Sequence, residues 1–413
     1  MSSRHPLQPT SEQLIALGQR YFVPNYKPRE MILDRGEGAR LWDLDGNDYI
    51  DLGTGISVNS LGHQHPELVA ALSGQAAKLW HTSNIYFTEP TVRLAEELVE
   101  AAPFAERVFF CNSGAEANEA AIKLARKYAA DRGRSPEQRE IITFYGAFHG
   151  RTLATVTATA QPKYHHGFEP LPGGFRYCAF NDFDAVAEMF SDNTCAVLVE
   201  PVQGEGGITP TKPGFLSHLR ELCDRHDALL MIDEIQSGMS RTGRLFAHQW
   251  EDGLKPDVVT LAKALGCGFP IGALLASAKT ADVLQFGSHG STFGGNPMAS
   301  SVARVALRLL SDPQLLANVE RQGEVLRSRL TELNQTLGLF EEIRGRGLMI
   351  GAALNPDWHG KAGEITEHCR LHGVMILQAG PNVLRLLPPL NITDEELTTG
   401  IERMNAALTD YLS

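Results

Sequence analysis

Three short apolar runs in the middle of the chain each lead into a reactive side chain, and this pattern constrains the fold more than any other. Residues 196–199 precede Glu200, residues 229–232 precede Asp233, and residues 258–261 stand two positions before Lys263. Runs of this length, rich in Val, Leu and Ile and without alternation, suit strands of a parallel sheet buried on both faces. Between the first two, Phe215, Leu216, Leu219 and Leu222 fall at helical spacing, which predicts a strand, helix, strand unit. The chain is therefore expected to be α/β, with successive strands parallel. Ligands of open sheets of this type lie beyond the carboxyl ends of the strands. Glu205, Asp233, Gln236 and Lys263 are expected to gather there.

The residue types narrow the chemistry. Lys263, flanked by Ala262, Ala264 and Leu265, is expected to be partly desolvated, which makes the neutral amine easier to populate. A neutral amine condenses with an aldehyde. Asp233 follows Leu229, Leu230, Met231 and Ile232, and a charged carboxylate there needs a cationic partner. A protonated pyridine nitrogen is such a partner, and a tethering lysine with an aspartate at the ring nitrogen is what proteins contribute to pyridoxal phosphate chemistry. A structural Asp and Lys, paired with each other or with backbone groups, fit the same spacing. The pattern alone leaves both readings open.

At 413 residues the chain is long enough for two or three domains around a large core. A formal net charge of −12 argues against a nucleic-acid or anionic-membrane partner. No basic start leads into an apolar segment, and no run of about 18 apolar residues is present, so a cytoplasmic location is expected. The six cysteines form no CxxC pair or zinc spacing and are expected to be reduced thiols. His63 and His65 lack a third ligand at suitable spacing, so a turn, not a metal site, is expected there.

Residues 1–30 read as an arm with one short helix. Turn signals at 35–38 and 45–47 bracket short antiparallel strands over 39–44 and 48–52. A helix is expected over 67–80. The run 108–111 leads into Asn112-Ser113-Gly114-Ala115-Glu116, where Ser113 and Glu116 fit a capping box for a helix carrying Ala117, Ala120, Ala121, Leu124 and Tyr128. Free N–H groups at such a helix start bind phosphate, and Gly114 allows close approach. Glu116 and Glu119 would repel phosphate and are expected to point elsewhere. Residues 141–145 predict a strand ending at Phe148, His149 and Arg151, with His149 a core or supporting histidine. Beyond the lysine, helices are expected over 299–310, 317–337 and 394–412, and strands over 348–354 and 374–377.

Asp233-Glu234-Ile235-Gln236, Arg241-Thr242-Gly243 and Thr260-Leu261-Ala262-Lys263, followed by Gly266, Gly268, Pro270 and Gly272, resemble the signature of class III aminotransferases. The segments 53–66, 112–119, 148–152, 200–207 and 291–297 extend the likeness over almost the whole chain, in particular to the branch acting on acetylornithine and succinylornithine. Cys267 departs from the commonest glycine-rich pattern and bears on the turn after the lysine without removing a catalytic group.

The resemblance implies a fold-type-I enzyme: a large domain with a mainly parallel sheet flanked by helices, and a smaller α+β domain built from both chain ends. The expected division is 1–73 for the arm and part of the small domain, 74–299 for the cofactor-binding domain, and 300–413 for the connecting helix and the remainder of the small domain. It implies pyridoxal 5'-phosphate with Ser113, Gly114, Ala115 and Thr292 at the phosphate, Thr292 from the other subunit of a homodimer. Phe148 would stack on the ring, Asp233 and Gln236 would contact it, and Lys263 would tether it and carry the proton. Arg151 and Ser291 would bind the acylated substrate, and Arg385 the carboxylate of glutamate or 2-oxoglutarate, with Glu205 pairing Arg385 in the other half-reaction. N-acetylornithine is the expected amino donor. N-succinylornithine, ornithine and 4-aminobutyrate are rivals, and a non-catalytic cofactor-binding relative is opposed by the presence of the full residue set. No metal is expected.

Overall fold

The computed structural model describes residues 9–413, and the first eight residues of the expected arm lie outside the described part. Seven strands make the central sheet: β1 Ala105–Cys111, β2 Glu140–Phe144, β3 Phe175–Cys178, β4 Thr194–Val199, β5 Leu229–Asp233, β6 Val258–Leu261 and β7 Gly272–Ser277. Their spatial order is β1-β7-β6-β5-β4-β2-β3. From β6 to β3 every neighbour is parallel, while β7 runs antiparallel to both β6 and β1. The fold is thus α/β with a mainly parallel sheet.

Every residue of β4, β5, β6 and β7 is buried, because alternate side chains go to two separate cores. Val197, Val199, Leu230, Ile232, Val259 and Leu261 pack with Phe215, Leu219 and Leu222 of the helix Phe215–Arg225. Ala196, Leu198, Leu229, Met231 and Val258 pack on the other face with Ala120, Ala121, Leu124 and Tyr128 of the helix Gly114–Asp131. Full burial of each Val or Leu contributes about 1.5–3 kcal/mol, so a non-alternating apolar run is the stable sequence for these positions. The strands' carboxyl ends are left as the open edge.

Both chain ends build the outer part. Leu33–Glu37, Arg40–Asp43 and Asp48–Asp51 form an antiparallel set that is joined in parallel by Val374–Met375. Phe340–Arg346, Met349–Leu354, Val383–Leu386 and Leu377–Gln378 form a second four-stranded sheet. Helices Pro297–Leu310 and Pro313–Leu337 connect the centre to it, and Asp394–Leu412 closes the chain behind a Thr393–Glu396 capping box. Arg241, fully buried, donates to the carbonyls of Leu348 and Pro388 and to Ser60 Oγ. It links the segment after β5 to both outer regions.

Several local expectations are corrected. The turn signal at 35–38 narrows to Gly38, the residue at positive φ between paired Glu37 and Arg40, and the residues before it are extended strand. The helix expected over 67–80 ends at Ala76. There the Trp80 indole N–H donates to the Ala76 carbonyl, replacing a backbone partner. The Ser113–Glu116 box is half formed: Ser113 Oγ accepts from the Glu116 N–H, but the Glu116 carboxylate turns to the N–H and side chain of Asn112. The arm's short helix is Ser11–Tyr21. All six cysteines are free and buried. Among the described residues no helix is long and apolar enough to cross a membrane.

Candidate active site

The ends of β4, β5 and β6 open into a cavity of about 420 Å³ lined by Ser113, Gly114, Ala115, Phe148, Arg151, Asp233, Gln236 and Lys263, with Glu200 and His149. This falls in the ~300–1,000 Å³ range of small-molecule sites. Lys263 lies two positions past the end of β6 and adopts φ +47, a left-handed conformation that costs a non-glycine residue on the order of 1–3 kcal/mol. It opens a single 3-10 turn, Lys263–Leu265. Cys267 also has positive φ, and its thiol donates to the Ala264 carbonyl, so the side chain braces the turn.

Burial, assisted by the nearby Arg385, lowers Lys263 to about 8. The sign is that of a buried cation, for which desolvation penalises the charged form. In cofactor-free protein, acylation of Lys263 by an amine-selective probe, located by mass spectrometry, should therefore rise with pH around a midpoint near 8 and level above it. A midpoint at the ordinary lysine value of 10.5 would contradict this.

Asp233 ends β5 in a fixed set of donors. Its Oδ2 accepts from Asn118 Nδ2 at 2.7 Å and lies 2.8 Å from His149 Nδ1; its Oδ1 accepts from the Ile235 N–H at 3.0 Å. Asn118 is itself oriented by the His149 carbonyl and the Thr260 hydroxyl. Lys263 and Asp233 form no ion pair with each other among the described residues, which disfavours a simple structural pair. Glu200 is buried, accepts from the Phe148 and Gly204 N–H groups, and is pushed above the usual carboxylate range by that burial.

The start of the helix Gly114–Asp131 forms one wall of the cavity. Ser113 Oγ is taken by Glu116 N–H, and the N–H groups of Gly114 and Ala115 belong to the first turn, where helices leave donors free. A Cβ at Gly114 would meet Ile235 at 2.8 Å, so the close approach requires glycine. Glu119 turns away to Thr152 and Thr155, whereas the Glu116 carboxylate stays beside the helix start, accepting from the N–H and side chain of Asn112.

Arg385, in the strand Val383–Leu386, is 3% exposed and bonds Glu205 Oε1 at 2.5 Å and Gln236 Oε1 at 3.4 Å. Glu205 sits in the tight Val202–Gln203 to Thr209–Pro210 turn. A Cβ at the neighbouring Gly204 would lie 2.0 Å from Gln236 Nε2, so that backbone can pass only without a side chain. Arg151 is exposed, its guanidinium 4.0 Å from the Tyr164 ring and 5.5 Å from Phe148; no carboxylate pairs with it among the described residues.

Neither Ser291 nor Thr292 lines the Lys263 cavity, although Ser291 reaches its wall through Asn112. Thr292 lines a second cavity with Ser83, Asn84 and Phe87, Asn84 donates to the Ser291 and Gly294 carbonyls, and Ser291 Oγ accepts from Asn112. Sequence reasoning had assigned nothing to Asn118, Tyr164 or Asn112, and no role to Glu200. Asn118 carried a readable signal, a polar residue inside the buried stripe Ala117, Ala120, Ala121. Tyr164 carried none, because its loop has no period.

Residues 21–408 match the family model described as aminotransferase class-III, and the chain belongs to that family. Pyridoxal 5'-phosphate is the family's cofactor, and the donor set here fits it: a depressed lysine, a carboxylate at β5 and free N–H groups at a helix start. Within the family, the chain is 59% identical over 394 residues to an acetylornithine aminotransferase of Xanthomonas axonopodis pv. citri (strain 306), covering 95% of this chain and 96% of that one. The N-acetylornithine aminotransferase of Stenotrophomonas maltophilia K279a superposes with TM-score 0.85 at 52% identity, covering 96% and 99%. An ornithine aminotransferase of Toxoplasma gondii, whose structure shows partial occupancy of PLP at the active site, gives TM-score 0.92 at 36% identity, covering 97% and 94%.

Proposed function

We propose that the chain transaminates N2-acetyl-L-ornithine with 2-oxoglutarate, yielding N-acetyl-L-glutamate 5-semialdehyde and L-glutamate, in arginine metabolism. The observation that carries this is one cavity holding Lys263 and Asp233 with the Arg385–Glu205 pair at its side. Such a pair suits an enzyme that must take an amine without a nearby carboxylate in one half-reaction and an α-carboxylate in the other.

When bound, pyridoxal 5'-phosphate supplies an aldehyde that captures the amine and a ring that accepts negative charge from the amine-bearing carbon. Ser113, Gly114 and Ala115 hold the phosphate. Asp233, kept in place by Asn118 and His149, holds a proton on the ring nitrogen. Phe148 packs on the ring and Gln236 contacts its oxygen. Lys263 would tether the group, and its Nζ, as a neutral amine, would take and return the proton of the amine-bearing carbon. Arg151, steadied over Tyr164, binds the distal carboxylate of the acylated donor through a bidentate pair.

Glu205 neutralises Arg385 while the amine donor is bound and swings away for the α-carboxylate of glutamate or 2-oxoglutarate. Truncating one partner of a buried charge pair costs about 2–5 kcal/mol. Arg385→Leu should therefore lower kcat/KM for 2-oxoglutarate by about 30- to 5,000-fold, with less than about a tenfold effect on single-turnover reaction with acetylornithine. Equal losses in both half-reactions would remove the role given to Arg385.

We assign the active unit as a homodimer, with Thr292 at the phosphate of the neighbouring site and Ser291 at the acylated substrate. Support comes from the separation of Thr292 from the Lys263 cavity of its own chain and from exposed Ile85, Tyr86, Phe87 and Phe293 around it. The division into 1–73, 74–299 and 300–413 is supported by the pairing of Asp48–Asp51 with Val374–Met375. A cytoplasmic location agrees with the buried, free thiols.

A further inference from the structure

Away from the cavity, two imidazoles and a carboxylate converge between the helices Ala362–Leu371 and Asp394–Leu412. His368 lies in the last turn of the first helix, His372 caps it, and Asp410 lies near the end of the second. One ligand atom of each residue lies within 4.8 Å of the other two. His368 Nε2 stands 2.9 Å and His372 Nε2 3.5 Å from the same oxygen, Asp410 Oδ2. With zinc–ligand bonds of ~2.0–2.2 Å, a tetrahedron has edges of about 3.3 Å. Both imidazole-to-carboxylate distances already bracket that edge. The third edge closes by turning rings whose centroids are 4.8 Å apart and whose side chains are 26% and 29% exposed.

The tautomer of His372 supplies the second argument. Its Nδ1 lies 3.0 Å from the His368 carbonyl oxygen, which can only accept, so Nδ1 carries the proton and the neutral ring leaves its lone pair on Nε2. That lone pair faces Asp410 Oδ2, also an acceptor. A protonated ring would donate from Nε2 to Asp410 and a neutral ring would meet it acceptor to acceptor, so the place between the two atoms takes either a proton or a cation. A metal-binding histidine is commonly held in this way by a hydrogen bond from its other nitrogen.

We propose that His368, His372 and Asp410 bind a divalent transition-metal ion of the zinc class, with water at the fourth position, clamping the two helices together. Two nitrogen donors and one oxygen select such an ion over magnesium or calcium. The test uses tag-free, cofactor-loaded protein and Zn²⁺ in competition with a chromophoric zinc indicator. Wild type should bind one Zn²⁺ per chain at this site, and His372→Gln and Asp410→Asn should each weaken that binding by about tenfold or more. Zn²⁺ should also raise the melting midpoint of wild type but not of the variants. Retained cofactor absorbance and basal activity in both variants show that they are folded. Equal Zn²⁺ affinity in all three proteins, or no uptake by wild type in excess Zn²⁺, would overturn the proposal.

Discussion

Lys263→Ala is expected to abolish multiple turnover with acetylornithine and 2-oxoglutarate, a loss of at least about 10⁴-fold. A positioned proton carrier alone contributes about 10²–10⁴, and the same substitution removes the covalent tether. The backbone at this position has φ +47, and alanine meets much the same strain there as lysine, so the loss should be chemical and not a failure to fold. Circular dichroism and steady-state assays on one preparation separate the two. Near-normal multiple turnover by a folded variant would sink the assignment of Lys263.

Asp233→Ala is the second large effect. Leaving a buried cation at the ring nitrogen without its carboxylate costs roughly 3–5 kcal/mol, and if that falls on the transition state the rate drops about 10²–10⁴-fold. The structure adds a separate consequence for stability. Asn118 Nδ2 and the Ile235 N–H both donate to this carboxylate, and a buried donor left unpaired costs about 1–3 kcal/mol. The variant should therefore melt earlier as well as turn over more slowly. A rate loss below tenfold would mean that another group, with Glu200 the other acidic residue lining the cavity, holds the ring nitrogen.

The central sheet was readable because β4, β5 and β6 are buried on both faces, which forces continuous apolar sequence and puts Asp233 and Lys263 at or just past the strand ends. Other strands were hidden for physical reasons. β7 is Gly272-Ala273-Leu274-Leu275-Ala276-Ser277, too rich in small residues to stand out, though every one is buried. Phe340–Arg346 carries charged residues on exposed faces, with only Phe340 fully buried. The Arg385 strand was read for its charge and not for its pairing, since a four-residue strand shows little period.

Within the cavity, the residues near the lysine in sequence could be expected from local motifs. The orienting contacts could not: Asn118 meets Asp233 across 115 positions, and Glu205 meets Arg385 across 180. The placement of Thr292 in a separate cavity likewise has no local signature, because it depends on how the loop before Pro297–Leu310 meets residues 81–91.

The most direct measurement follows the visible absorbance of the cofactor-loaded protein while N-acetylornithine, N-succinylornithine, ornithine and 4-aminobutyrate are added one at a time without a keto acid. The account predicts rapid bleaching by N-acetylornithine, reversed by 2-oxoglutarate, and slower reaction with ornithine and 4-aminobutyrate. Bleaching by glutamate with none by N-acetylornithine would contradict the proposed donor, and no bleaching by any amine would contradict transamination itself.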